Sequence, residues 1–213
     1  DHVLFVGRHE PRKGLSVLLR AWPRVRRRTG ARLRVIGADP LAVRFLLRRE
    51  RLPADGIDLL GVLSSPELEL ELALAKLLVA PSLGRESFGM VLTRAFAAAT
   101  PVVASNIDGY RQLVSDRNGL LVPPGDEGRL AEAILSLLED EPRRRRHAAE
   151  ARTLAESYDW LDVARRLRAI YEQLLSSADA SESEAVNSHP RRANAGQAPR
   201  VPVQAPHDRH ATP

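Results

Sequence analysis

Arg8 and Lys13 stand five positions apart in a loop, Gly7-Arg8-His9-Glu10-Pro11-Arg12-Lys13-Gly14, that follows the apolar run at residues 3–6. Glu86 stands in a second loop of turn-prone residues, opened by Pro81, Ser82 and Gly84 behind the apolar run at 77–80. Two cations converging from one loop can hold a diphosphate and stabilise the charge that grows on it as it leaves. A carboxylate nearby accepts hydrogen bonds from hydroxyls, the donors that a sugar presents. Ser87, Phe88 and Gly89 lead into a helix-like segment. Their backbone N–H groups are expected where the partial positive charge of a helix start favours a phosphate. The combination points to a nucleotide-sugar site.

For these groups to meet, both loops must open on the same edge of one sheet. Apolar runs at 3–6, 33–36, 57–60, 77–80, 101–104 and 119–122 read as strands, the first three closed by Gly7, Gly37 and Gly61. Between and after them apolar residues recur at helical spacing, as in Leu15, Leu18, Leu19 and Trp22, or Leu130, Ala133, Ile134, Leu137 and Leu138. Ser64, with Pro66 in the first turn, and Asp126 are expected to head helices. Strands alternating with helices predict an α/β fold, a Rossmann-like doubly wound parallel sheet of about six strands covered on both faces. Ligands of such sheets gather at the carboxyl ends of the strands.

Composition narrows the function classes. Cysteine is absent, so disulfides and thiolate-bound zinc are unavailable. The six histidines show no metal spacing, and no apolar run approaches the roughly 20 residues of a membrane-spanning helix. The chain starts at Asp1 without Met, directly in a strand, which suggests a cut inside a larger protein. Its net charge is +5, and Lys13 and Lys76 are the only lysines, so arginine supplies nearly all the positive charge. The arginine runs at 26–28 and 143–146 lack interleaved aromatics and read as solvated helix surface, making a nucleic-acid partner a poor fit. From Ser176 onward the chain is rich in proline and polar residues, without an aromatic. The expected division is a folded nucleotide-sugar-binding domain at 1–175 and a disordered tail at 176–213.

Four motifs occur in order: FVGRHEPRKGLSVLLRA at 5–21, PSLGRESFGMVL at 81–92, TPVVASNIDGYRQLV at 100–114 and NGLLVPPGD at 118–126. Together they resemble the carboxy-terminal, donor-binding half of the retaining family-four glycosyltransferases of GT-B fold, with the phosphatidylinositol mannosyltransferases the nearest likeness. The resemblance implies transfer of mannose from GDP-mannose, with Arg8 and Lys13 on the donor diphosphate and Gly7 beside them. It implies that Glu86 contacts the transferred sugar. It also places the backbone of Ser87, Phe88 and Gly89 on sugar and phosphate, and Leu63 near the base. No tightly bound cofactor is implied beyond the nucleotide-sugar donor. A divalent metal is compatible, although the sequence offers no recognisable ligands for one. An amino-terminal acceptor-binding domain is the implied partner. The expected location is the cytoplasm, with peripheral contact at the membrane for the full enzyme.

Three positions depart from the family pattern. A second glutamate normally follows the first two helical turns later and holds the ribose hydroxyls; Arg94 stands there and offers only donors. Ala99 stands where glycine usually precedes Thr-Pro, so a strained helix end is expected. Lys76 replaces a usual aspartate before a strand. Arg94 and the absent partner domain leave open a degenerate binding module without catalysis, and the arginine runs leave open a binder of RNA or acidic lipid. A nucleotide-sugar epimerase of the same fold is a further alternative, but its catalytic residues are not recognisable.

Overall fold

A computed structural model describes residues 2–187 of the chain. The first strand, β1 (His2–Val6), leads through a 3-10 turn at Pro11–Lys13 into α1 (Leu15–Thr29). There follow β2 (Arg32–Ile36), α2 (Pro40–Arg49), β3 (Ile57–Gly61), α3 (Ser65–Leu74) and β4 (Leu77–Ala80). The remainder is α4 (Met90–Ala97), β5 (Val102–Ser105), α5 (Asp108–Arg111), β6 (Gly119–Val122), α6 (Glu127–Glu139), α7 (Glu141–Glu156) and α8 (Trp160–Asn187). All six apolar runs form strands, and every pairing among them is parallel. The order in the sheet is β3-β2-β1-β4-β5-β6. The direction of winding reverses between β1 and β4, and a crevice opens there at the carboxyl edge.

Alternation along the strands sorts side chains into two cores. Val3 and Phe5 of β1, with Val35 and Val79, face α1, α2 and α6. Leu4, with Leu78 and Ala104, faces α3, α4, α5 and α7. Trp22, Tyr110, Phe5 and Phe96 are the largest fully buried side chains. The helix caps lie where the sequence puts them. The Ser64 amide donates to the Glu67 carboxylate at 2.8 Å, and Asp126 accepts from the Arg129 amide at 2.8 Å.

The arginine runs are largely consumed by the fold. Arg26 bonds Asp55 at 3.0 Å, and Arg28 pairs with Glu139 at 2.5 Å. Arg144 is buried and donates to the carbonyls of Leu137 and Leu138 at 2.8 and 3.1 Å. His147 is buried, and burial together with Arg143 and Arg146 holds its pKa below the ordinary histidine value. At the other end of the fold, the compositional change at Ser176 is not a break in the backbone. α8 continues through it to Asn187, because alanine and glutamate in this stretch tolerate the helix. The compact body of the chain ends earlier, at Arg165. The rest of the tail expected to be disordered, 188–213, lies outside the described residues.

Ala99 has φ 54°, the left-handed conformation expected of a position where glycine is usual, and its N–H bonds the carbonyl of Phe96 at 2.9 Å to end α4. Ala99→Gly is therefore expected to raise stability by about 0.5–1 kcal/mol, after the entropy of glycine is set against the relieved strain. An unchanged or lower urea midpoint contradicts that. For His147 the sign is the reverse of a usual salt-bridged histidine. Its folded pKa is depressed, so the unfolded chain binds the proton first and stability falls as pH drops below about 6.5. The loss is at most about 1.4 kcal/mol per pH unit, and His147→Gln is expected to flatten that part of a stability–pH curve measured by urea unfolding.

Candidate active site

The crevice between β1 and β4 receives the two loops singled out by their chemistry. Close backbone approach fixes them to each other. Gly14 has φ 68°, and a Cβ on it would lie 1.8 Å from the carbonyl oxygen of Pro81. Only glycine fits that contact. The Leu83 amide donates to the carbonyl of Arg12 at 2.7 Å, tying the second loop to the 3-10 turn of the first. A third loop supports them from β5. A Cβ on Gly109 would lie 2.0 Å from the carbonyl oxygen of Glu86, so α5 sits directly against the backbone of that residue. Beside it the Tyr110 hydroxyl and Ser82 Oγ hydrogen-bond at 2.9 Å, and burial pushes the phenol pKa up to about 12.

This packing leaves Glu86 with a side chain only 12% exposed, set between two cations. Lys13 Nζ lies 2.6 Å from Oε1, and the Arg12 guanidinium bonds the same oxygen. Arg12 Nε also reaches Glu10 Oε2 at 2.7 Å, and Glu10 Oε1 lies 2.8 Å from Arg8. The site is thus an alternating chain of charges, Arg8–Glu10–Arg12–Glu86–Lys13. A nearly buried carboxylate is tolerable because two charge-assisted bonds offset its desolvation. The same cations suit a diphosphate, which offers more acceptor oxygens than one carboxylate. α4 starts shortly after Glu86, behind its N-cap Gly89, with no side chain capping its first amides.

Among the residues named from the sequence, Lys13 and Glu86 meet directly. Arg8 does not join them; its side chain is 75% exposed and turned onto Glu10. Arg12, which the sequence did not single out, shares Glu86 with Lys13. Pro11 was the available signal, since it starts the short turn that carries Arg12 and Lys13 together. Gly7 ends β1 at the same edge, its amide bonded to the Ile36 carbonyl at 2.9 Å. Leu63 is half-buried in the loop after β3 and packs on the core beneath α3 and α4. Ser87 is exposed, and Phe88 stands edge-on to Tyr158 with ring centroids 5.5 Å apart. Arg94 projects from α4 into a cavity of about 500 Å³ lined also by Met90, Thr93, Tyr158 and Trp160. Its guanidinium lies 3.6 Å from Glu69 of α3. Among the described residues, no group of three or more His, Asp or Glu side chains gathers as metal ligands would.

Residues 1–140 match the family model described as glycosyl transferases group 1. The phosphatidyl-myo-inositol mannosyltransferase of Mycobacterium leprae is 38% identical over 82% of this chain and 47% of its own length. Its counterpart in Mycolicibacterium smegmatis is 37% identical over 80% of this chain and 44% of its own length. The chain thus spans about half the length of the curated relatives it matches. Among solved structures, sucrose-phosphate synthase from Thermosynechococcus elongatus superposes with a TM-score of 0.73 and 29% identity, covering 83% of this chain and 46% of its own. The HepE protein of Anabaena, solved in complex with UDP, superposes with a TM-score of 0.69 and 27% identity over 82% of this chain and 48% of its own. A doubly wound sheet with its charged loops at the switch point, the matching family model and these relatives agree: the chain belongs to the group 1 glycosyl transferases.

Proposed function

We propose that this chain is the donor-binding domain of a retaining mannosyltransferase that uses GDP-mannose and delivers the sugar to a lipid or glycan acceptor. The observation that carries the proposal is Glu86 held between Arg12 and Lys13 at the β1–β4 crevice. The mannosyltransferase names of the relatives favour mannose, and the UDP of the HepE complex supports a nucleotide-linked donor.

The proposed roles are those the family resemblance implies, with Arg12 added from its place beside Glu86. A donor diphosphate at the α4 start displaces Glu86 from its cations and takes their bonds, with Arg8 reaching in from the loop edge. Arg12 and Lys13 then neutralise charge on the departing diphosphate, which lowers the barrier more as the charge grows. Glu86, released from its ion pairs, accepts from hydroxyls of the sugar, while the backbone of Ser87, Phe88 and Gly89 binds sugar and phosphate. Acceptor binding falls to a further domain. Because holding two reactants in register contributes about 7–11 kcal/mol, this chain alone is expected to bind donor and transfer poorly.

Calorimetry with GDP and GDP-mannose tests the donor assignment, and the absence of saturable binding at millimolar ligand would sink it. Lys13→Ala removes a charge-assisted bond worth about 1.5–3 kcal/mol and is expected to weaken GDP-mannose binding tenfold or more. If affinity is instead unchanged, Lys13 does not hold the diphosphate.

Arg94 carries a second reading, that of a binding module that no longer transfers sugar. A guanidinium already near Glu69 cannot accept from ribose hydroxyls. Arg94→Glu is expected to tighten GDP binding about tenfold where a ribose acceptor is missing. No gain in the titration would show that the ribose is held by other groups.

A further inference from the structure

The run at 143–146 contains two arginines that the fold neither buries nor pairs with a carboxylate among the described residues. Arg144 is buried on two carbonyls and Arg145 pairs with Glu141 at 2.6 Å. Arg143 and Arg146 instead line a cavity of about 280 Å³ together with Arg117, His147, Asp116 and Glu150. Most arginines here are paired with a carboxylate, as Arg20 is with Glu50 and Arg34 with Glu71. Among the described residues, Arg117, Arg143 and Arg146 form no such pair, although two carboxylates share their rim.

His147 explains how the concavity is kept open. Its Nδ1 lies 2.8 Å from the carbonyl oxygen of Arg117, which can only accept, so Nδ1 carries the proton. Nε2 is then free to accept from Arg143 Nε at 3.3 Å. The ring, buried against the loop before β6, thereby fixes the stem of the Arg143 guanidinium and leaves its two terminal nitrogens for another partner. Three guanidiniums against Asp116 and Glu150 leave a net positive charge and a surplus of planar donors. That is the geometry that recognises phosphate oxygens.

We propose that the cavity bounded by Arg117, Arg143 and Arg146 binds a phosphate group, free or carried as a monoester. Asp116 and Arg117 precede β6, so the cavity lies at the amino edge of the parallel sheet, whereas Glu86, Arg12 and Lys13 lie at the carboxyl edge. The two anion sites are therefore separate, and this one does not depend on the donor assignment.

The test is an amide NMR titration of the full 213-residue chain with inorganic phosphate. Saturable shifts of the Arg117, Asn118 and His147 amides are expected, with a dissociation constant on the order of 1 mM. They should persist in Lys13→Ala and vanish in the double variant Arg143→Gln, Arg146→Gln. Glu150→Gln removes a repelling charge from the rim and is expected to tighten binding about fivefold, an effect that misfolding cannot produce. Cosedimentation with phosphatidylcholine vesicles containing phosphatidic acid distinguishes the source. If the chain pellets and the double variant does not, the phosphate is a lipid headgroup; saturation by inorganic phosphate without pelleting assigns a soluble monoester. Neither binding, or binding equal in wild type and double variant, overturns the proposal.

Discussion

The Glu86 carboxylate, gripped by Arg12 and Lys13, ties the loop after β4 to the loop after β1. These strands are neighbours in space but distant in sequence, and the sheet reverses its winding between them. The ion pairs could not form without the backbone contacts beneath them. Gly14 lets the first loop touch Pro81, and Gly109 lets α5 touch the Glu86 carbonyl. Topology brings the loops to one edge, absent side chains let the backbones close, and charge then selects which side chains face inward. Each layer depends on the one before it.

How far the sequence discloses this arrangement follows from the range of each interaction. The strands were legible because buried parallel strands are uninterrupted apolar runs, and the caps at Ser64 and Asp126 because a cap is local. The left-handed Ala99 was legible for the same reason: its conformation is a property of one helix end. Side-chain direction inside the first loop was not. Arg8, Arg12 and Lys13 are three similar cations within six residues, and Glu10 and Glu86 decide which of them turn inward. Glu86 is more than seventy residues away. The same holds for Arg94, whose neighbour Glu69 lies on another helix. The persistence of α8 past Ser176 was hidden for a different reason: a polar stretch without an apolar stripe carries no helical periodicity, although its alanines and glutamates still favour a helix.

An arginine-rich composition suggests an anion-binding surface, yet the fold spends most of it internally. Arg20, Arg24 and Arg28 are spaced along one face of α1 and meet Glu127, Glu132 and Glu139 of α6 in the same order. Exposed pairs of this kind contribute little stability each, at about 0–1 kcal/mol. Their larger effect is to neutralise a stripe that would otherwise be strongly positive.

The alternating chain from Arg8 to Lys13 means that the site carries its own counter-ions. Bare cations in water gather mobile salt ions, and a ligand that expels them binds less well as salt rises. In the proposed site the partner an arriving diphosphate would displace is Glu86, which is tethered and stays in the site. The exchange is one covalently attached anion for an arriving one, so the concentration of dissolved salt enters the balance only weakly. Such a site would distinguish ligands by how well their oxygens replace one carboxylate, and hardly at all by the ionic strength in which they meet it.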